Sequence, residues 1–278
     1  MSSISERMPY STYLKSIFTT NPEEINVFKR NPSYQSVVTC GPAIVYSPQT
    51  ETVKKYCNRL IHNSIPFIDI IPSIVEIDNS KGDPCIEEFD FPKIGKFKAQ
   101  GSLMHVLHDA IEIESIMKNL DNFSIIELGP AYGLMYEVLN KRFDNIKYKG
   151  IDLEYSCKLM KYCVGDRPNC EIIDCNTLTN DEEEHDIFIS LYAITECDIE
   201  IQKKYFYKYI KLAKRGYIMG SHNEEILKMI KEYHPDMFII NNEKRCATNI
   251  TGSFKLCAGL DWGPLVVWGY PPVPDHLK

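Results

Sequence analysis

The spacing of hydrophobic and polar positions along the chain changes near residue 100. Downstream of Gly101-Ser102, apolar residues such as Leu103, Leu107 and Ala110 recur every three or four positions, which predicts an amphipathic helix over 103–120. Short apolar runs then alternate with helical segments. The predicted strands are 123–128, 147–152, 171–174, 186–192, 216–220, 237–240 and 265–268, and the predicted helices are 132–141, 154–163, 200–213 and 223–233.

This alternation predicts an α/β fold with a doubly wound, mostly parallel, seven-stranded Rossmann-like sheet. Residues 1–100 differ, because they are irregular and hold nine of the sixteen prolines. Helix starts are indicated at Asn21-Pro22 and at Ser47-Pro48, and a turn-rich connector at 78–84. We therefore predict a mainly helical N-terminal cap over 1–100, on the acceptor side, and a cofactor-binding domain over 101–278.

Composition narrows the class of protein. The chain has 278 residues, of which 44% are hydrophobic and 25% charged, so it is long enough to bury a full core. With 31 basic and 38 acidic residues, its net charge of −7 argues against a nucleic-acid partner. Its ten cysteines include no C-x-x-C pair, and we expect no metal site. Without a secretory leader or an apolar run long enough to cross a membrane, we expect a cytoplasmic protein with reduced thiols and no membrane insertion.

The first strand of the predicted sheet ends in a glycine loop that contains Gly129 and Gly133. Its sequence, E-L-G-P-A-Y-G from Glu127, reads E-x-G-x-x-x-G. It lacks the dinucleotide fingerprint G-x-G-x-x-G, and the chain has no phosphate loop. A glycine loop preceded by an acid suits a cationic ligand without phosphate better than a pyrophosphate.

Acidic residues end the next two predicted strands. Asp152 stands where a carboxylate accepts both hydroxyls of a ribose, and Asp174-Cys175 stands beside the place of an adenine edge. In the alternative interpretation, the glycines only shape a turn and Asp152 caps the following helix. Together the three positions outline a site for S-adenosylmethionine. The predicted cofactor-binding residues are Glu127, Gly129, Tyr132, Gly133, Asp152, Leu153, Asp174, Cys175 and Ser190.

These motifs resemble class I S-adenosylmethionine-dependent methyltransferases and, more narrowly, the sugar O-methyltransferase family of surface-polysaccharide gene clusters. The resemblance runs from about residue 75 to the carboxyl end. The chain departs from the family pattern at Pro130-Ala131, where two glycines are commoner, and at 100–105, where the family tends to carry threonines. It implies methyl transfer to a hydroxyl of a sugar or sugar nucleotide. The matching stretches are 79–84, 91–97, 126–133, 186–197, 214–217 and 267–269.

A sugar hydroxyl needs a general base, which is expected just after the fourth and fifth strands of the sheet. Glu196 and His222 are the candidate bases, and Tyr192 is a third catalytic candidate. Each has an alternative interpretation: Glu196 as an acid near the start of the next helix, His222 as the exposed start of a helix capped by Ser221, and Tyr192 as core. His105 and His108, together with Glu112, indicate a solvated face of the 103–120 helix.

Three functions remain open at this stage. The first is O-methylation of a sugar or sugar nucleotide in glycan biosynthesis. The second is methylation of a small phosphorylated or phosphoramidate acceptor in capsule modification, and the third is a partner subunit that binds S-adenosylmethionine without turnover. An amino-methylating nucleic-acid enzyme is disfavoured because S-L-Y-A from Ser190 replaces [DN]-P-P-[FY]. The sequence also leaves a homodimer possible.

Overall fold

The computed structural model describes residues 9–31, 65–84, 86–91, 94–117, 119–178, 183–220, 222–240 and 264–269. The chain divides into two compact units that interleave along the sequence. The helical unit comprises Met1–Asn119, Ala131–Asp144 and Leu153–Asp166, and the sheet unit comprises Leu120–Pro130, Asn145–Asp152 and Arg167–Lys278. No helix of the described ranges is long and apolar enough to cross a membrane. The predicted helix start at Ser47-Pro48 lies outside the described residues.

The helical unit contains α-helices, a 3₁₀ helix and one hairpin. The 3₁₀ helix begins with Asn21 as its N-cap and Pro22 in its first turn, as the sequence predicted. The helix predicted over 103–120 is also confirmed, with slightly different ends. The elements are α1 (Pro9–Thr19), the 3₁₀ helix (Pro22–Arg30), α2 (Ile65–Asn79), β1 (Glu87–Phe91), β2 (Gly95–Ala99), α3 (Gly101–Met117), α4 (Leu134–Arg142) and α5 (Glu154–Val164).

Strands β1 and β2 form an antiparallel hairpin that the sequence analysis missed. Glu87 pairs with Ala99, and Phe89 pairs with Phe97 across the hairpin. The two phenylalanine rings stack with their centroids 5.8 Å apart, and Phe89 is fully buried. Aromatic pairs of this kind stabilise antiparallel strands. The segment predicted to be a helical cap thus includes a small sheet, and the domain boundary at residue 100 stays a prediction.

The sheet unit carries the predicted seven-stranded, mostly parallel sheet, which is confirmed. Strands β3 to β7 are parallel, and β9 runs antiparallel to its neighbours β7 and β8. The order across the sheet is β5-β4-β3-β6-β7-β9-β8. Its elements are β3 (Ser124–Leu128), β4 (Lys147–Asp152), β5 (Cys170–Asp174), β6 (His185–Leu191), α6 (Ile199–Lys208), β7 (Ala213–Met219), α7 (Glu224–Tyr233), β8 (Phe238–Ile240) and β9 (Leu265–Trp268).

The predicted helix over 200–213 is too long. The α-helix α6 ends at Lys208, a 3₁₀ turn covers Ile210–Leu212, and β7 already begins at Ala213. Trp268 on β9 is fully buried, and its Nε1 donates to the Ala213 carbonyl over 3.0 Å. The buried indole thereby ties the start of β7 to β9, which fixes where the helix gives way to the strand.

The strand order creates one topological switch point. From β3 the chain moves outward to β4 and then β5, and it returns to the other side of β3 with β6. In open α/β sheets, ligands bind beyond the carboxyl ends of the strands at such a reversal. The carboxyl ends of β3 and β6 therefore define where a ligand site is expected.

Candidate active site

Gly129 occupies the switch point for a steric reason. It follows β3 with a φ of +80°, and its N–H donates to the Ile151 carbonyl of β4 over 2.8 Å. A Cβ on Gly129 would lie only 2.3 Å from the Cβ of Ala193, which begins the 3₁₀ turn after β6. Neither the positive φ nor the close approach suits any other residue. The sequence predicts a tight turn and a close ligand approach, and the structure adds this contact with Ala193.

The second part of the glycine loop, from Ala131, belongs to the helical unit. Gly133 has a φ of +86° and precedes α4 as its N-cap. A Cβ on Gly133 would lie 2.6 Å from Cγ2 of Val164 on α5. Between the two glycines, Ala131 also has a positive φ of 52°. Alanine in this region is strained, so the loop conformation depends on what surrounds it.

Glu127 is the acid that precedes the glycine loop, and it is buried on β3. The Tyr148 hydroxyl on β4 donates a hydrogen bond to Glu127 Oε2. Burial and then the Glu127 carboxylate hold the pKa of Tyr148 well above its usual value. The phenol therefore keeps its proton and fixes one oxygen of this acid. Tyr148 is a site residue that the sequence analysis did not name.

Asp152 and Asp174 end the neighbouring strands β4 and β5, where their Cα atoms are register partners. Asp174 Oδ1 accepts from the backbone N–H and the side-chain amide of Asn176, both over 2.9 Å. Burial, followed by the carboxylates of Asp174 and Asp152, raises the pKa of the Cys175 thiol to about 11. The two predicted acids and Cys175 thus lie together at the edge of the sheet.

Helix α5 has Leu153, and not Asp152, at its N-cap position. Leu153 belongs to the helical unit, and its carbonyl accepts from the Cys157 N–H over 2.9 Å.

The turn after β6 places Tyr192 in a strained conformation. Its φ is +71° and its ψ −33°, a combination that costs about 1–3 kcal/mol in a non-glycine residue. Its N–H donates to the Met219 carbonyl over 3.0 Å, and its hydroxyl to the Met219 sulfur over 3.3 Å. Its carbonyl accepts from the Thr195 hydroxyl over 2.7 Å. These contacts hold the ends of β6 and β7 together.

Ser190, predicted to contact the cofactor, is fully buried at the end of β6. Its hydroxyl accepts a hydrogen bond from the Ile194 N–H over 3.1 Å. The contact the structure records is therefore with the 3₁₀ turn, where the hydroxyl secures the turn that carries the next candidate.

Glu196 ends that 3₁₀ turn and is exposed. Within the described residues its carboxylate has neither a hydrogen-bond donor nor an ion-pair partner, and partial desolvation of the carboxylate raises its pKa above the usual value. It stands three residues before Ile199, where α6 begins, with Asp198 rather than Glu196 as the N-cap. An acid in this position keeps its oxygens available to a ligand.

His222 is half-buried, which differs from the exposed helix start of the alternative interpretation. Its Nε2 lies 3.1 Å from the Pro264 carbonyl, and the Ile218 carbonyl also approaches the ring. Burial lowers its pKa, so the ring is held neutral and has one N–H to donate. Helix α7 is capped by Asn223, which accepts from the Glu225 N–H over 2.8 Å, whereas Ser221 lies outside the described residues.

Tyr132, predicted as a cofactor contact, is buried in the helical unit. Its hydroxyl donates to Asp78 Oδ1 over 2.9 Å, and burial holds its pKa well above the usual value. The sequence predicts a turn at Asp78, but Asp78 belongs to α2. Sequence spacing gave no signal for this pair, since 54 residues separate its members.

The predicted solvated face of α3 is wrong for His108. His108 is 2% exposed and lies 2.9 Å from Asp109 Oδ1 through its Nδ1. His108, Asp109 and Glu112 together offer ligand atoms within 4.8 Å of one another, an arrangement that could hold a metal ion. The side chain of His105 lies outside the described residues.

No protein-family model matches the chain, and no curated protein matches it. Solved structures that align with it include a TehB-like SAM-dependent methyltransferase from Corynebacterium glutamicum, 14% identical over 59% of this chain and 87% of its own, with a TM-score of 0.40. A methyltransferase from Pyrococcus furiosus is 12% identical over 59% of this chain and 81% of its own, with a TM-score of 0.39.

A third aligned structure was solved with a ligand pair. Haemonchus contortus phospholethanolamine N-methyltransferase 2, in complex with phosphomonomethylethanolamine and S-adenosylhomocysteine, is 12% identical over 49% of this chain and 39% of its own, with a TM-score of 0.40.

Proposed function

We propose that the protein is an S-adenosylmethionine-dependent methyltransferase. The observation that carries the proposal is the placement of Gly129, Asp152 and Asp174 at the ends of three adjacent parallel strands, beside the switch point. The strained glycine turn leaves no room for a side chain, and the two acids offer acceptors for the hydroxyls and the amine of an adenosine. A dinucleotide is disfavoured because the G-x-G-x-x-G turn is missing.

When bound, S-adenosylmethionine supplies a methyl group made electrophilic by its sulfonium. The chain's own residues then have three tasks: to hold the adenosine, to orient the acceptor and to remove a proton. Asp152 and Asp174 suit the first task. Tyr192, held by its contacts with Met219 and Thr195, presents a fixed backbone at the end of β6.

Glu196 is the proposed general base. It accepts the proton of the acceptor hydroxyl, and no competing partner among the described residues neutralises its charge. Partial desolvation moves its pKa toward neutral pH, which makes proton transfer from a hydroxyl less unfavourable than for an ordinary glutamate. His222 is the weaker candidate because its ring already faces the Pro264 and Ile218 carbonyls.

The Glu196 carboxylate also limits which acceptor groups suit the site. A glutamate without a partner repels a phosphate or phosphoramidate oxygen, which is already anionic, and suits a neutral hydroxyl that can give up a proton. We therefore favour O-methylation of a hydroxyl on a sugar or sugar nucleotide, in glycan biosynthesis, over the phosphorylated acceptor and over a subunit without turnover.

Calorimetric titration with S-adenosylhomocysteine tests the cofactor. We expect saturable binding to the wild-type protein and a loss of about 10- to 100-fold in affinity in Asp152→Ala, since hydrogen bonds to a charged group are lost. Asp166→Ala removes an exposed acid and serves as the matched control, with affinity unchanged. No binding to the wild-type protein would refute the proposal.

The acceptor is tested with labelled S-adenosylmethionine and a panel of sugar nucleotides and small phosphorylated compounds. We expect the labelled methyl group in an ether formed at a sugar hydroxyl. Glu196→Gln should lose this methyl transfer while its affinity for S-adenosylhomocysteine stays unchanged. Transfer to a phosphate oxygen at equal rates in both proteins would contradict the assignment of the acceptor and of the base.

A further inference from the structure

A fully buried ion pair lies in the helical unit, and its two residues are distant in sequence from the strand ends that form the candidate cofactor site. Lys29 Nζ lies 2.6 Å from Asp78 Oδ1 and donates a second bond to the Asp78 carbonyl over 2.6 Å, and both side chains have zero exposure. Lys29 comes from the 3₁₀ helix Pro22–Arg30, and Asp78 from the last turn of α2. A buried pair of this kind is weak evidence for stability, so its contacts with neighbouring residues are the better guide to its role.

Tyr132 of the glycine loop is attached to this pair. Its hydroxyl donates to Asp78 Oδ1 over 2.9 Å, the same oxygen that Lys29 contacts. The Lys29 ammonium also lies 4.7 Å from the centroid of the Tyr132 ring, and the edge of Phe28 meets the same ring at 5.9 Å. Three groups therefore fix both the hydroxyl and the ring of one side chain.

The segment that supplies Lys29 is itself held in place. The Lys29 N–H donates to the Gly82 carbonyl over 3.0 Å. A Cβ on Gly82 would lie 2.3 Å from the Phe28 ring, so the turn after α2 fits closely around this segment. A short 3₁₀ helix with a kink at Val27 has little stability of its own, and these contacts determine where it lies.

The residues on either side of Tyr132 are those with positive φ: Ala131 at 52° and Gly133 at 86°. Such a conformation persists only where neighbouring structure holds it. We infer that Lys29 and Asp78 are positioning residues that act through Tyr132 to hold the 131–133 part of the glycine loop in its strained, cofactor-binding conformation, and that the Pro22–Arg30 segment is thereby coupled to cofactor affinity. This inference rests on the proposed function.

The surroundings of the pair are buried, which strengthens the coupling. Burial raises the pKa of the neighbouring Cys163 thiol to about 12, although the Lys29 and Lys81 ammonium groups oppose that shift. In such surroundings a polar group that loses its partner is not rescued by bulk water. Loss of the hydrogen bond from the Tyr132 hydroxyl should therefore change the conformation of the 131–133 part of the glycine loop.

Tyr132→Phe is the mildest test, because it removes one hydroxyl and keeps the ring and the ion pair. We expect the dissociation constant for S-adenosylhomocysteine to rise about tenfold. The KM for S-adenosylmethionine should rise with it, while kcat at saturation stays within about twofold. Lys96→Gln is the matched control, since it removes an exposed pair with Glu88 on the β1–β2 hairpin and should change neither value.

Hydrogen exchange in the ligand-free protein gives a readout that does not depend on the proposed function. We expect faster exchange of the amides of Tyr132 and Gly133 in Tyr132→Phe than in wild-type protein. If the wild-type protein fails to bind S-adenosylhomocysteine, the proposed function fails, yet the exchange result still decides whether the pair holds the loop.

Removal of one partner alone would leave a buried charge and threaten folding, so the pair is replaced as a unit by Lys29→Met/Asp78→Leu. We expect this double variant to fold, to show the same faster exchange, and to make Tyr132→Phe silent when the three changes are combined. A lower melting temperature with unchanged affinity and unchanged exchange would assign the cluster to stability alone and overturn the inference. Additive effects of Tyr132→Phe and the double variant would overturn it as well.

Discussion

Gly129→Ala is the sharpest available probe of the switch point. The substitution adds one carbon atom and changes no charge or hydrogen bond. The added Cβ meets two separate obstacles, namely a φ of +80° and the Ala193 Cβ at 2.3 Å. The next atom of Ala193, its Cα, lies 3.7 Å away and is no obstacle. The clash is therefore with a single methyl group, and it can be removed.

The expected cost follows from these two terms. A left-handed conformation costs a residue with a Cβ roughly 1–2 kcal/mol. Overpacking by one carbon in a close-packed region costs roughly 1–3 kcal/mol more. We expect Gly129→Ala to lower the free energy of unfolding by about 2–5 kcal/mol. Urea titration of the ligand-free protein, followed by circular dichroism, measures this value.

A control and a rescue separate the two terms. Gly95 has the same φ of +80°, and a Cβ there meets nothing within 4 Å, so Gly95→Ala should show the conformational cost alone. Ala193→Gly removes the opposing methyl group. Combined with Gly129→Ala, it should recover roughly 1–3 kcal/mol relative to the sum of the single variants. The reasoning is refuted if Gly129→Ala costs no more than Gly95→Ala and Ala193→Gly recovers nothing.

Two further predictions concern titrating groups. Partial burial raises the pKa of Glu196, so the ionised carboxylate destabilises the folded state. Glu196→Gln should therefore raise the melting temperature at neutral pH and lose that advantage in acid. The same substitution should lower kcat by about 10²- to 10⁴-fold. An equal gain at every pH would contradict the raised pKa of Glu196. Burial lowers the pKa values of His185, His222 and His234 below 6.5, so the unfolded state binds more protons as the pH falls through that value, and the free energy of unfolding should fall with it. His234→Gln should flatten this dependence in urea titrations at several pH values, and an unchanged slope would exclude His234 as a contributor.

The sheet could be predicted because its strands carry local signals. The segment Lys147–Asp152 was predicted with the bounds that the structure shows, and Glu154–Val164 with a difference of one residue. Each strand is a short apolar run between a helix and a turn, a pattern that does not depend on distant residues. The crossover rules limit the possible strand orders, and the structure supplies the order and with it the switch point.

The helical unit could not be predicted in the same way. Helix α2 is apolar on most sides and has Pro72 inside it, so neither a periodic face nor an uninterrupted helix signal marks it. The β1–β2 hairpin did carry a signal, since Phe89 and Phe91 alternate with acids ahead of the turn before Gly95. The proline content of the region outweighed that signal.

The candidate site likewise has a part that the sequence could predict and a part that it could not. Asp152, Asp174 and Glu196 follow strands, so their positions at the sheet edge come from local sequence and topology. The Lys29–Asp78 pair joins residues 49 positions apart, and its members have no periodicity in common. An ion pair of this kind depends on how two separate segments pack, which a single sequence does not reveal.

The glycine loop shows why its spacing is constrained by more than a ligand. Gly129 is required by the Ala193 methyl group, and Gly133 by Val164, so each glycine has a packing reason within its own unit. Ala131 is the exception, because it adopts a positive φ of 52° at a position where a glycine would be less strained. Its neighbour Tyr132 is bound to Asp78, and this bond restrains the strained residue beside it. A variant that touches no ligand atom can therefore weaken cofactor binding by releasing this loop, which is why affinity, exchange and stability must be measured on the same set of variants.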